Sequence, residues 1–444
     1  MNKFLIFSLS LFSIIHCVIG KQKKHSIKEI LETVEKDYFV VIQNDRVEFL
    51  SNSSSIMPVI DDIEIRIQNT AFQLNKQRYS LRIEPRGIGE TKASKNLYHA
   101  NLQYYKSKKE YKINRLLVNR YMLIMELLKR QSVLQLYKKV LVLYRDKINV
   151  LRSSINSLNF DLNQLLEAED DYTQLKFRNI ERERSISRLI KEITACLDDN
   201  TFTELDTTGF ITISHIKDLI KNTDFFLDTN NIYLDTGNIY LKYERAELEL
   251  AENRYNLETA ESRRYISFLE FSYDHEEMME ESEKKKEYES GEKNKKDFNI
   301  DRAYRIDLGI RIPFINVDRH DINRRKMTVF AARDNYDELK KELRERIKKD
   351  IQDIKLLVSQ YEFLEARKND VNAESSLKRY LEMEGIDPIL LLSIKEDILK
   401  NDIDKERIKH DIFRNYIRII DATGMICKRP FRNYLHMNKE IITQ

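Results

Sequence analysis

The sequence predicts a mainly α-helical fold with a small β part, in which a strand pair followed by a long coiled-coil helical hairpin occurs twice. Three observations carry that expectation. Turn formers are scarce, with 9 Gly and 5 Pro in 444 residues. Heptad-spaced apolar residues run on for many turns without a breaker. Short alternating segments stand just ahead of the two longest runs. So few turns in so long a chain imply long elements. That sets aside Rossmann folds and TIM barrels, which turn about every ten to fifteen residues. The 76 Lys and Arg nearly balance the 73 Asp and Glu, leaving +3. No nucleic-acid partner is therefore expected. A hydrophobic content of 41%, with 23 Tyr and 20 Phe, argues against disorder.

Residues 1–20 read as a secretory signal peptide. Met1, Asn2 and Lys3 form a short basic start, Phe4 to Ile15 an apolar run, and Val18-Ile19-Gly20 a small-residue cleavage site before Lys21. The run is too short to span a bilayer as a helix. His16 precedes Cys17 where a lipobox wants Gly, Ala or Ser, so a lipoprotein or retained anchor is the weaker alternative. No later stretch reaches the eighteen or so apolar residues of a spanning helix. Cys196 and Cys427 remain after cleavage, either unpaired or joined in an oxidising compartment.

The first long helix is expected from about Lys92 to Leu158, a stretch without Gly or Pro. One seam runs Ile113, Arg120, Leu127, Leu134, Leu141, Ile148 and Ile155. Its partner runs Leu116, Leu123, Arg130, Tyr137, Tyr144, Leu151 and Leu158. A second long helix is expected from about Asp321 to Met383, with Ile351, Ile354, Val358 and Tyr361 as its seam. Each needs a partner along its length. Asp161 to about Leu197, with Ile186, Leu189 and Ile193, returns along the first. Pro388 to about Ala422, with Ile394, Ile398, Ile408, Ile412 and Ile419, returns along the second. The dense charge on the other faces is most simply a solvated surface.

The two turnarounds match. Asn159-Phe160-Asp161 followed by Leu165-Leu166 parallels Gly385-Ile386-Asp387 followed by Leu390-Leu391. Asn159 and Gly385 suit a left-handed helix end. Asp161 and Asp387 suit N-caps, and Pro388 a first helical position. Upstream, Arg82-Ile83-Glu84-Pro85 parallels Arg311-Ile312-Pro313. A repeat of about 226 residues follows. The expected organisation is 1–20 signal peptide, 21–200 first repeat, 201–424 second repeat and 425–444 a C-terminal tail.

Four segments alternate as strands. They are Ile63 to Gln68, Tyr79 to Glu84, Tyr265 to Tyr273 and Tyr304 to Ile312, the last two joined by a charged loop from about His275 to Asn299. Apolar outside and polar inside is the pattern of a transmembrane β-strand, and also of a half-buried sheet. Four strands cannot close a barrel, and lipid forbids open edges. Strands that span a membrane here must be pooled, and three chains would give twelve.

The order of signal, helix, strand pair, long helix, turn and return helix, then the same again, resembles the TolC-like outer membrane efflux family. The likeness extends from about Ser26 to Ile426. It is sharpest where Glu244 to Ala251 leads through a strand pair to Leu308-Gly309-Ile310-Arg311-Ile312-Pro313-Phe314. Gly385-Ile386-Asp387-Pro388 with Leu390-Leu391 is similar to the family's helix-tip pattern. The resemblance implies a homotrimer, with a shared 12-strand barrel in outer-membrane lipid and a trimeric α-helical tunnel extending into the periplasm. It implies an exit duct for efflux or type I secretion, docked on a periplasmic adaptor and powered by an inner-membrane transporter. The tips so implicated are Leu158, Asn159, Phe160, Asp161, Gly385, Ile386, Asp387 and Pro388. Departures from the family are the Tyr-, Lys- and Glu-rich helices, Asn159 in place of Gly, and a short first strand connection.

The alternative is an exported periplasmic coiled-coil scaffold or adaptor without a pore, which explains the heptads but not the duplicated strand–Pro–helix–tip order. An enzyme is not expected. His99, His215, His275, His320, His410 and His436 have no metal-ligand spacing, and no nucleophile or phosphate-loop motif occurs. No cofactor and no metal are expected.

Overall fold

Without turn residues to interrupt them, the long apolar-periodic stretches become helices of unusual length. The computed structural model describes residues 24–53, 58–69, 77–87, 89–156, 160–197, 202, 204–221, 237–274, 304–311, 319–369, 388–438 and 441–442. The signal-peptide reading, the Pro313 junction and the His275–Asn299 connection lie outside them. In chain order the elements are β1 (Lys24–Ser26), α1 (Ile27–Glu32), α2 (Tyr38–Asn52), β2 (Ile60–Asn69), β3 (Gln77–Pro85), α3 (Glu90–Ser153) and α4 (Leu162–Thr194). Then come β4 (Glu204–Asp206), α5 (Ile213–Lys221), α6 (Ile239–Glu261), β5 (Ile266–Asp274), β6 (Tyr304–Ile310), α7 (Arg319–Asn369) and α8 (Pro388–Ala422). At 1.5 Å per residue, the 64 residues of α3 extend about 96 Å. No described helix is long and apolar enough to cross a membrane.

The chain forms two compact units, each drawn from both halves of the sequence. One comprises Met1–Asn44, Lys108–Lys242 and Leu339–Gln444. Here α3 pairs with α4 and with α8, and α8 pairs with α7. The α3–α4 contact carries Lys138–Glu183 at 2.7 Å and the Arg182 guanidinium 3.7 Å over the Tyr137 ring. The α3–α8 contact carries Lys129–Asp411 at 2.9 Å and a Val133, Val140 and Ile403 core. Lys405–Glu365, at 3.1 Å, joins α8 to α7.

The expected seams are met in part. Ile113, Leu127, Leu134 and Ile148 are buried, as are Ile351, Ile354 and Val358 in α7 and Ile186, Leu189 and Ile193 in α4. The second α3 seam is displaced by one residue at its start, with Leu117 and Ile124 taking the deep positions expected of Leu116 and Leu123, while Leu151 is buried as expected. A helix packed by more than one partner needs a wider apolar stripe than a two-stranded coiled coil. Ile155 is exposed, because α3 stops at Ser153, short of the expected Leu158. There the Ser153 and Ser154 hydroxyls donate to the Val150 and Leu151 carbonyls, competing with the helix ladder. Arg120, a charge in the seam, is buried. Its Nη1 donates to the Ile30 carbonyl and to Thr33 Oγ1, both at 2.7 Å, and Asp37 lies 3.7 Å away.

The same unit holds pieces the periodicity did not announce. Strands β1 and β4 pair in parallel. Residues after α8 fold back on this unit: Ile211 N donates to the Leu435 carbonyl at 2.8 Å, the Tyr121 hydroxyl donates to the Arg432 carbonyl at 3.0 Å, and Phe431 and Leu435 are buried. Gly209, at φ 73, lies against the His436 ring where no Cβ would fit. Cys196 and Cys427 are free thiols.

The second unit comprises Asp45–Ser107 and Tyr243–Glu338. It contains the four strands β2, β3, β5 and β6, which form one antiparallel sheet in that order. Helices α6 and α7 pack beside each other through Ala251, Val329 and Ala332, with Arg325–Glu258 at 3.4 Å and Arg333–Glu252 at 3.1 Å.

Candidate membrane-spanning sheet

The register turns four separate alternations into rows. Ile65 pairs with Leu81, Leu81 with Phe271 and Phe271 with Ile306. One step along, Ile63, Ile83, Leu269 and Leu308 form a second apolar row. On the other side, Ile67, Tyr79, Tyr273 and Tyr304 form a third. Its tyrosines meet ring to ring, stacked with centroids 6.5 Å apart for Tyr79–Tyr273 and tilted at 5.4 Å for Tyr273–Tyr304. An aliphatic band with an aromatic row at one end is the composition of a lipid-facing barrel surface. The band is bare: Ile65 is 74% exposed, Ile306 67% and Ile310 69%. Among the described residues nothing covers this face, and the outer edges of β2 and β6 have no strand partner.

The opposite face carries the charge. Ser80 and Ser272 are buried side by side between Arg66 and Arg305. The next row reads Glu64, Arg82, Glu270 and Asp307. Beyond it Phe268 lies across Gly309, where an added Cβ would approach the ring to 2.5 Å, and the Arg82 guanidinium sits 4.0 Å over that ring. A glycine inside an alternating strand was the one sequence sign of this close approach.

Sequence reasoning missed the junction at the base of the sheet. Arg264, just after α6, donates to Asp61 Oδ2 and Glu90 Oε1, each at 2.8 Å. Glu90, buried at the start of α3, also accepts from Gly87 N at 2.7 Å. One guanidinium thus ties β2, the α3 start and the approach to β5. The hydrogen bond to Glu90, reinforced by Asp61, holds the Arg264 guanidinium above its usual range. No spacing in the sequence brings 61, 90 and 264 together; only the sheet register does.

Of the expected tip residues, Leu158, Asn159, Gly385, Ile386 and Asp387 lie outside the described residues. Asp161 caps α4, accepting from Asn163 N at 2.9 Å, and Pro388 is the first residue of α8. Phe160 packs on Ile148, Leu151, Leu165 and Ala168, and so does Ile389. The starts of α4 and α8, far apart in sequence, therefore share one apolar cluster. Among the described residues, no group of three His, Cys, Asp or Glu side chains is placed to hold a metal ion.

No family profile matches the sequence, and no curated protein matches it. Solved structures do match its fold. The outer membrane channel CmeC of Campylobacter jejuni superposes with a TM-score of 0.62 at 10% identity, over 90% of this chain and 85% of that one. The MtrE outer membrane channel of Neisseria gonorrhoeae, in its open state, gives 0.61 at 10% identity, over 90% and 88%. The outer membrane protein VceC of Vibrio cholerae gives 0.61 at 11% identity, over 90% and 96%. With the strand rows and helix order described above, the chain has the fold of the TolC-like outer-membrane channels.

Proposed function

We propose that the chain is one protomer of a homotrimeric duct in the bacterial outer membrane, extending into the periplasm. The observation that carries this reading is the four-stranded sheet with one bare apolar face and two unpaired edges. Such a sheet cannot stand alone in lipid, where every backbone N–H and C=O must be satisfied. Joining β6 of one copy to β2 of the next, three times, closes twelve strands and removes every edge. The strands of β2 and β3, 10 and 9 residues long, suit a tilted crossing of the hydrocarbon.

On this reading the duct is passive and has no chemistry of its own. Export rests on the signal peptide over residues 1–20. The strand pair and helical hairpin in each half reflect an internal duplication. The tips, Leu158 to Asp161 and Gly385 to Pro388, receive a periplasmic adaptor, and an inner-membrane transporter supplies the energy for efflux or type I secretion. The shared apolar cluster under Phe160 and Ile389 supports this, because it holds the starts of α4 and α8 side by side.

Membrane fractionation tests the reading. A heat-sensitive trimer that needs detergent for extraction from outer membranes is expected. Release of the protein by osmotic shock alone would instead indicate a scaffold without a pore.

A further inference from the structure

Helices α4 and α7 each pack inward on one side, α4 on α3 and α7 on α8. Each leaves a second seam bare on its other side. On α4, Thr173, Phe177, Ile180 and Arg184 follow the four- and three-residue steps of a coiled coil, and all are exposed, Phe177 by 60%. On α7, Gln352, Leu356, Ser359 and Phe363 do the same, with Phe363 67% exposed. Leu356, Phe363 and Leu364 line an open groove with Ile408 of α8. The two seams lie at one height. Tyr137 of α3 carries the Arg182 guanidinium of α4 over its ring, and its hydroxyl accepts from Arg407 of α8 at 2.9 Å. Arg407 borders the groove beside Phe363, and Lys405, about half a turn away, reaches Glu365 of α7. Pairs such as Arg152–Glu169 with Lys138–Glu183, and Tyr144–Glu396 with Lys129–Asp411, set α4 and α8 antiparallel to α3. Lys405–Glu365 and Arg346–Asp421 set α7 antiparallel to α8. Residues 176–191 of α4 are therefore level with about 351–366 of α7, running the opposite way. Over that length the charges are opposite. Lys176 to Lys191 holds six cations and two carboxylates, whereas Asp350 to Ala366 holds four carboxylates and one lysine. Towards the turnarounds both signs swap: Glu167 to Asp171 holds four carboxylates, and Arg367-Lys368 continues α7.

Resting on the duct reading above, we propose that the basic outer face of α4, from Lys176 to Lys191, docks on the acidic outer face of α7 in the next copy of this chain, with Phe177 and Ile180 covering the groove at Phe363 and Leu356. A cyclic ring turns about one axis and shifts nothing along it, so it joins only surfaces of equal height. The opposite signs make α4 on α7 the favourable contact, since α4 on α4 would oppose two cationic faces and α7 on α7 two acidic ones. A head-to-tail contact between two different faces can also close a ring, where a self-complementary face stops at a dimer. Burial of the four apolar side chains supplies the attraction, and the charges decide which face meets which. The screening length is about 10 Å at 0.1 M and about 3 Å at 1 M, so that control must weaken as salt rises.

The test uses the full-length chain in outer membranes, with Cys196→Ser and Cys427→Ser removing the native thiols. On oxidation, I180C/F363C is expected to give disulfide-linked dimers and trimers, and I180C or F363C alone only unlinked chains. R184E/R188E should lose most of the heat-sensitive trimer at low salt, and adding D353K/E362K to the same chain should restore it. An extracted trimer in which I180C/F363C stays unlinked would overturn this surface while leaving the duct intact. So would a trimer yield that R184E/R188E leaves unchanged, or capture of a different protein by Phe177→benzoylphenylalanine under illumination. Wild type that forms no trimer in the membrane at all would overturn the duct reading itself.

Discussion

Arg264 shows how much of the β-sheet's attachment rests on one side chain. Replacing it with Ala leaves Glu90 buried and charged without its partner, a loss of about 3–5 kcal/mol for a buried pair broken on one side. Arg264→Lys keeps the charge but loses the planar fork that grips Glu90 through both Nε and Nη2, so it should recover only part of that loss. Thermal unfolding of the purified protein measures both. Gly309 is the second sensitive point. Gly309→Val forces Phe268 off the strand and unseats Arg82, which should cost about 1–3 kcal/mol as an overpacked site. Phe268→Ala in the same background should relieve the clash, and melting of the single and double variants checks this. Neither residue's role was legible in the sequence. Gly309 stood out within an alternating strand, but Phe268 became its partner only through the β5–β6 register.

The elements were far more legible than the contacts between them. Seven-residue spacing located α3, α4, α7 and α8, and alternation located all four strands of the large sheet. What spacing could not supply was the number of neighbours each helix has, and that shifted the start of one α3 seam by a residue. It also missed β1, β4 and the folded-back segment after α8, which are too short to show a period. At the tips, Asp161→Ala should cost about 1 kcal/mol of α4 stability by removing the cap on Asn163 N, visible as faster amide exchange there. Along α8, His410 is buried against α3, its Nε2 3.2 Å from Ser132 Oγ and 3.7 Å from Glu406 Oε2. Lys129 and Glu126 of α3, and Lys409, Asp411 and Arg414 of α8, surround it, with Leu189 of α4 alongside. Burial, then Lys409 and Lys129, push its pKa down to about 4. The folded state therefore holds the neutral ring, while the unfolded chain takes up a proton near pH 6.5. Stability is full above about pH 6.5 and falls as pH drops towards 4, by about 3 kcal/mol if no other group responds. His410→Gln should flatten that part of the melting-temperature profile between pH 7 and 4.5.

At the scale of the whole molecule, the sequence implied that strands spanning a membrane here would be shared between chains, because four with an apolar face cannot close. The single sheet with β3 joined to β5 sharpens that. One protomer offers one continuous wall segment with two edges, and not two separate hairpins. In the proposed trimer every copy must present both edges, and that matters for mixed populations. A chain with one ruined edge, such as Ile306→Pro in β6, still offers an intact β2 to a neighbour and is recruited. It then leaves the ring open. If variant and wild type are made in equal amounts and assemble at random, only about one ring in eight contains three sound copies. A damaged copy is thus worse for the cell than a missing one. Co-expression should lower the yield of heat-sensitive trimers well below the half expected from simple dilution.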